Sequence, residues 1–206
     1  MSAPQRESAR ADVRGSREGR DRTLSARDLS LIAVFTAFIV VLGLPGALFT
    51  GSGVPITLQS LGIMLAGSLL GWRRGALATL AFVALVAVGL PVLAGGRGGL
   101  GIFAGPTVGY LISYPIASGI IGYLLERARR LNGINVFAAT VLGGIVVIHA
   151  FGIVGMMWRA HLSLQAAIVA DAVFIPGDLI KAAIATVVSL AVYRAMPDLL
   201  PRRSRA

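Results

Sequence analysis

The run Phe174-Ile-Pro-Gly-Asp-Leu-Ile-Lys-Ala-Ala-Ile-Ala185 decides how the rest of the chain is read. It sets an acid, Asp178, and the chain's single lysine, Lys181, into an otherwise apolar stretch. Three residues apart, the two share one face of a helix. Pro176 suits the first helical position, where its missing N–H costs nothing and its φ is already helical. Asp178 then falls in the first turn, at the positive end of the helix dipole. From Pro176 to Ala195 the helix measures about 30 Å at ~1.5 Å per residue, enough to cross a bilayer. A charged group at the centre of a membrane helix costs about 2.5–3.5 kcal/mol, and less toward the interface. One reading of the pair is a salt bridge that ties helices together. A buried ion pair rarely outdoes apolar packing, so a polar ligand site facing the bundle interior is the better reading.

Outward from that helix, the composition sets the class. Of the 206 residues, 56% are hydrophobic and 14% charged, and the charges keep out of the long apolar runs. This describes an integral membrane protein embedded in a lipid bilayer. The absence of cysteine excludes disulfides and thiolate metal sites. The two histidines, His149 and His161, are too far apart for a zinc motif, so neither a metal nor a cofactor is expected. A net charge of +10 raises the question of nucleic acid. The basic residues, however, collect in the tails and two short loops, with no stripe interleaved with aromatics, so nucleic acid is not an expected partner.

Five more apolar runs precede the helix at the C-terminal end. They extend from Leu29 to Ala47, from Val54 to Leu70 with Pro55 in its first turn, and from Ala76 to about Leu93. Two more run from Thr107 to Leu125 and from Val136 to Trp158. Residues 159–175 read as an external connection with a short helical stretch of its own. The expected fold is therefore all-α, a polytopic bundle of six transmembrane helices. Residues 28–195 form the membrane domain. Residues 1–27 are polar and Arg-rich and read as a disordered cytoplasmic tail, and 196–206 form a cytoplasmic C-terminal tail. With both termini inside, the cytoplasmic segments hold seven, two, three and four Lys or Arg, against only Arg97 and Arg159 outside. Positive-inside statistics thus predict N-in, C-in. The beginnings of the second, fourth and sixth helices then meet at the outer face, in the inner membrane of the cell.

Several residues stand out against this background. Gln59 is an uncharged polar group within a span, directed either to a cavity or to a neighbouring helix. Six glycines between Ala94 and Pro106 permit close backbone approach, and the loop is either a plain linker or a holder for its one charge, Arg97. It lacks the GK[ST] of a phosphate loop. Tyr110 and Tyr114 share a face near the start of the fourth helix. His149 reads as a helix–helix hydrogen-bonding residue before a proton relay. Ala33 and Ala37, four apart, form a small-xxx-small face that admits another helix.

The segments Val54-Pro-Ile-Thr-Leu-Gln-Ser-Leu-Gly-Ile-Met-Leu-Ala-Gly67, Gly89-Leu-Pro-Val-Leu-Ala-Gly-Gly96, Gly99-Leu-Gly-Ile-Phe-Ala-Gly-Pro-Thr-Val-Gly-Tyr110 and Ile175-Pro-Gly-Asp-Leu-Ile-Lys181 together resemble the BioY family. Its members are the biotin-binding S components of energy-coupling-factor transporters. The resemblance covers roughly residues 28–195. It implies a six-helix bundle with the vitamin bound at the external side beneath lid loops. It implies that Asp178 and Lys181 hold the ureido ring, and that Arg97, with Gly98 and Gly99 beside it, reaches the valerate carboxylate. It also implies that Ala33 and Ala37 press against a transmembrane coupling subunit served by separate ATPase subunits. The chain would then bind and carry biotin, not act as an enzyme.

The chemistry agrees with that expectation. A ureido group has two N–H donors and one carbonyl acceptor, which a carboxylate and an ammonium complement. Tyr110 and Tyr114 supply apolar walls, and Gln59 is a further candidate contact. Two competing readings remain: an S component for thiamin or riboflavin, and an intramembrane hydrolase using His149 with Asp178. The first would call for more stacking surface than 7% aromatic residues offers. The second lacks any nucleophile-and-base spacing.

Overall fold

The computed structural model describes residues 24–44, 48–49 and 54–196. Of the expected tails 1–27 and 196–206, residues 1–23 and 197–206 lie outside the described residues, as does the expected end of the first apolar run at 45–47. The chain divides into two units, residues 1–30 and 31–206. The described part of the first unit opens helix α1 (Ala26–Val41). Ser25 and Asp28 cap it reciprocally. The Ser25 hydroxyl donates to Asp28 Oδ2 at 2.8 Å, and the Asp28 N–H donates back to Ser25 Oγ at 3.2 Å. The helix thus begins three residues before the expected Leu29, because a polar cap, invisible to hydropathy, sets its start.

In the second unit a two-residue hairpin, β1 (Leu48–Phe49) and β2 (Pro55–Ile56), pairs antiparallel with Leu48 opposite Ile56. Helix α2 (Gln59–Ala87) follows, then a 3₁₀ turn (Leu100–Ala104) and α3 (Val108–Arg127). The last three helices are α4 (Gly133–Arg159), α5 (Leu164–Ala172) and α6 (Ile175–Ala195). Helices α2, α3, α4 and α6 are each long and apolar enough to cross a membrane. Two expected boundaries move. Pro55 lies in β2 and not in a first helical turn, and α2 opens only after the Thr57 hydroxyl accepts the Gln59 N–H at 3.2 Å. Its far end comes at Ala87 instead of Leu93, just before Gly89 with φ of 99°.

α2 is two helices joined at one residue. Gly71 has φ 81° and ψ 179°, a conformation reserved almost wholly for glycine. The chain reverses there. A Cβ built on Gly75 would lie 2.8 Å from the Ala66 carbonyl and 3.0 Å from the Gly67 Cα, whereas nine residues along one straight helix span about 13 Å. The freed groups at the break are taken up. Trp72 N–H donates to Glu126 at 2.9 Å, and Arg74 Nε donates to the Leu70 carbonyl at 3.0 Å. The break expected between the runs ending at Leu70 and opening at Ala76 is thus compressed into one residue. Gly71→Ala is expected to destabilise the protein by about 1–3 kcal/mol, seen as a lower thermal midpoint in detergent. An unchanged midpoint would show that this backbone can relax.

The packing is that of a protein in lipid. Ser68, Ser113, Thr79 and Ser189 are wholly buried, while Val34, Leu80, Val154 and Val187 are each more than half exposed. Small hydroxyl residues thus join an apolar core, while large apolar residues also cover the outside, because lipid tails are as apolar as leucine. Polar side chains inside still find partners. Ser68 and Ser189 hydroxyls lie 2.7 Å apart, joining α2 to α6, and Thr36 Oγ donates to the Ala78 carbonyl at 3.0 Å, joining α1 to α2. α3 and α4 cross at Gly109 and Gly155, where a Cβ on Gly155 would come within 2.8 Å of the Gly109 Cα. In α4 a π-helical turn (Leu142–Val147) immediately precedes Ile148 and His149, and both of these face the site described next.

Candidate functional site

The N-terminal ends of α2, α3 and α6 converge on a small, partly open cavity of about 50 Å³. Its lining includes Gln59, Arg97, Tyr110, Tyr114, Asp178 and Lys181, all singled out by sequence. Gln59 is buried, and its Nε2 donates to the Val92 carbonyl at 3.0 Å. It therefore both borders the cavity and fastens the chain beyond α2. Arg97 is half-buried in the Gly-rich loop, where its Nε donates to the Ala94 carbonyl at 3.2 Å. Gly98 and Gly99 shape the loop from behind. A Cβ on Gly98 would collide with the Leu90 carbonyl, and the Gly99 N–H donates to the Val86 carbonyl at 2.7 Å with φ of 91°. Neither glycine is among the cavity-lining residues.

The polar end of the cavity is a connected chain of side chains. Lys181 Nζ donates to Asp178 Oδ1 at 2.8 Å and to Ser60 Oγ at 3.0 Å. The Ser60 hydroxyl donates to the same Asp178 oxygen at 2.9 Å. The other Asp178 oxygen, Oδ2, lies 3.0 Å from His149 Nε2. On the far side of the ring, His149 Nδ1 lies 2.7 Å and 2.9 Å from the two Asp171 oxygens. Tyr110 closes the chain by donating its hydroxyl to Asp171 Oδ1 at 2.6 Å. Asp171, Asp178, His149 and Lys181 are all at most 7% exposed. Groups buried this deeply are tolerated because each has partners.

Aromatic rings form the adjoining wall. Phe174, just before α6, has its ring centre 6.0 Å from that of Tyr110 and 6.4 Å from that of His149. Tyr114 packs at 6.4 Å against Phe82. The site thus pairs a charged donor-and-acceptor end with an apolar, aromatic body, the layout of a specific ligand pocket.

Sequence reasoning missed Ser60, Asp171 and Phe174, and ranked His149 as a helix–helix hydrogen-bonding residue ahead of a proton relay or hydrolase base. The signal for Asp171 was present: an acid within an apolar run is a functional candidate by default. Reading residues 159–175 as an external connection put it in water instead. Ala33 and Ala37 stand apart from the cavity on the exposed side of α1, beside the exposed Val34 and Phe38. Thr36 and Ile39 turn inward on the opposite side.

The hydrolase reading finds no support in this geometry. Both ring nitrogens of His149 face carboxylates, and the Ser60 hydroxyl engages Asp178 and Lys181. Among the described residues no hydroxyl is bonded to a ring nitrogen of His149, the base that reading requires.

Fold and site together define a class: a helical membrane protein with a buried, charged cluster at the head of an aromatic-walled cavity. A family model described as the BioY family matches residues 16–198. The biotin transporter BioY of Rhizobium etli is 48% identical over 188 residues, covering 88% of this chain and all of the relative. The biotin transporter BioY of Rhodobacter capsulatus is also 48% identical, covering 86% of this chain and 98% of that one. Among solved structures, the S-component for biotin from an ECF-type ABC transporter matches with a TM-score of 0.77 at 34% identity, covering 84% of this chain and 95% of that one. The chain belongs to the BioY family.

Proposed function

We propose that this chain binds biotin and serves its uptake as the substrate-specific subunit of an energy-coupling-factor transporter. The observation that carries the reading is the Ser60–Asp178–Lys181 cluster at the head of the cavity. There a carboxylate and an ammonium lie side by side, matching the N–H donors and carbonyl of a cyclic urea. The aromatic wall of Tyr110, Tyr114 and Phe174 suits a thiophane ring and its alkyl chain. The chain is a transporter subunit and not an enzyme, as its relatives are. Biotin is its cargo, with no resident cofactor needed. Nothing in the relatives' names favours thiamin or riboflavin. Calorimetric titration of the purified protein tests the reading. Saturable binding of one biotin is expected, and silence with biotin but heat with thiamin or riboflavin would overturn it.

Six crossings with both termini inside, in the cell's inner membrane, fit this role. Counted this way, the two halves of α2 cross as a hairpin. Each half is shorter than the ~20 residues of a free-standing span, but non-helical backbone at membrane depth is tolerated where it lines a cavity. Arg73 and Arg74 just past the Gly71 reversal, the basic end of α3 and Arg194 at the end of α6 would then share the cytoplasmic side. Partners in this scheme are a transmembrane coupling subunit, met through Ala33 and Ala37, and ATPase subunits beneath it.

Arg97 is assigned to the valerate carboxylate. Arg97→Ala is expected to weaken biotin by about 1.5–3 kcal/mol, the scale of a charge-assisted hydrogen bond, and to weaken a neutral biotin amide by less. Arg97→Lys should recover only part of the loss, since an ammonium lacks the planar fork. Equal losses for the acid and the amide would remove Arg97 from the carboxylate.

A further inference from the structure

The two carboxylates flanking His149 have a consequence that reaches beyond the Asp178–Lys181 pair. Each is placed to accept hydrogen bonds as an ionised group does. Asp171 accepts the Tyr110 hydroxyl and presents both oxygens to Nδ1, and Asp178 accepts from Ser60 and Lys181 on one oxygen and faces Nε2 with the other. An ionised carboxylate can only accept hydrogen bonds, so both ring nitrogens must donate, and only the imidazolium can do so. Charge counting agrees. Asp171, Asp178 and Lys181 without a charged histidine would leave one net negative charge buried in a bundle bounded by lipid, which is costly. With the imidazolium the four groups sum to zero.

We infer that His149 is a positioning residue, held as an imidazolium between Asp171 and Asp178, which balances Asp178 so that Lys181 can turn its ammonium to the carbonyl of a bound cyclic urea. The ligand part of this rests on the biotin reading above. In the empty site Lys181 donates to Asp178 and Ser60. A ligand carbonyl has to draw some of that donation away. If Lys181 were the only cation beside Asp178, this would leave a buried carboxylate half-compensated. His149 keeps the second Asp178 oxygen engaged throughout, and Asp171 with Tyr110 fixes the ring plane and the charge. The remaining oxygen, Oδ1, keeps lone-pair capacity for a ligand N–H. His149 therefore acts through Asp178 and Lys181 and does not itself need to touch the ligand.

The titratable and charged groups near the ring are Tyr110 and Tyr114 on α3, Asp171 on α5, and Asp178 and Lys181 on α6, with Arg97 across the cavity. The chain has only two histidines, which makes a direct test practical. His161 is exposed, at φ 53°, a conformation asparagine tolerates, so His161→Asn leaves His149 as the sole labelled ring. In ¹⁵N-histidine-labelled full-length protein at pH 7.5 and without ligand, His149 is expected to show both nitrogens protonated. A neutral tautomer there would overturn the inference whatever the ligand proves to be. Biotin titrations supply the second arm. His149→Gln keeps a donor for Asp178 but no charge, and should weaken biotin at least about thirtyfold at neutral pH. Wild-type affinity should fall as pH rises far enough to remove the imidazolium proton, and the fall should track the NMR titration. In His149→Gln that component should vanish, leaving a low, flat profile over the same range. Wild-type affinity, or an unchanged pH profile, in His149→Gln would sink the inference. A wild-type protein that binds no biotin, yet shows the imidazolium, would fail the biotin reading while leaving the charge arrangement in place.

Discussion

Asp178→Asn is expected to weaken biotin binding by about 2–5 kcal/mol, roughly thirtyfold to several-thousandfold. The substitution removes the acceptor shared by Lys181, Ser60 and His149, all of which are within 3.0 Å of its oxygens. Two buried cations would then compete for a neutral amide, whose NH₂ end repels the donors it meets. Lys181→Met should cost a similar amount for the converse reason, leaving the Asp178 carboxylate to lean on His149 and the Ser60 hydroxyl and the ligand carbonyl without a cation. Both changes make α6 more apolar, so insertion into the membrane should survive. Calorimetry on detergent-solubilised protein, with size exclusion as the check on folding, reads the effect. Near-normal affinity in either variant with the fold intact would end the assignment of this pair to the ligand.

The second large effect is expected on transport alone. Ala33 and Ala37 lie on the exposed side of α1, while α1 holds the bundle through Thr36 and Ile39 on its other side. A small-residue face turned outward is suited to close helix approach, and two tryptophans would keep a partner several ångströms away. The Ala33→Trp, Ala37→Trp double variant should abolish energised biotin uptake in cells that supply the coupling and ATPase subunits. Its affinity for biotin should be unchanged, since neither alanine lines the cavity. Persistent uptake would place the contact face elsewhere, and lost affinity would show that α1 shapes the site.

Much of the site was legible because the membrane makes polar residues conspicuous. Asp178, Lys181 and Gln59 stood out against apolar runs, and all three line the cavity. Arg97 stood out for a different reason, as a lone charge among glycines whose backbone demands, at Gly99 for one, follow from positive φ. Ser60 was beyond reach, since serine is common in such helices and only a neighbour at bonding distance distinguishes it. His149 was visible as a residue but not as a role. A histidine's chemistry depends on what faces each nitrogen, and its two partners come from α5 and α6, 22 and 29 residues further on.

The sequence by itself determined the class of the protein: the apolar runs that become helices, the polar head of α6, and the loop that carries Arg97. These are properties of local composition, because lipid forces every backbone group into a helix and every charge to justify its place. Tertiary structure decided the rest. It compressed the turn after the second apolar run into Gly71, moved Pro55 from a helix into a strand pair, and brought Asp171 in from what reads as a connection. It also joined six side chains from five helices into one network. Hydrogen bonds of under about 3 Å depend on how helices cross, and crossings depend on close contacts such as Gly109 against Gly155, which no periodicity in one segment encodes.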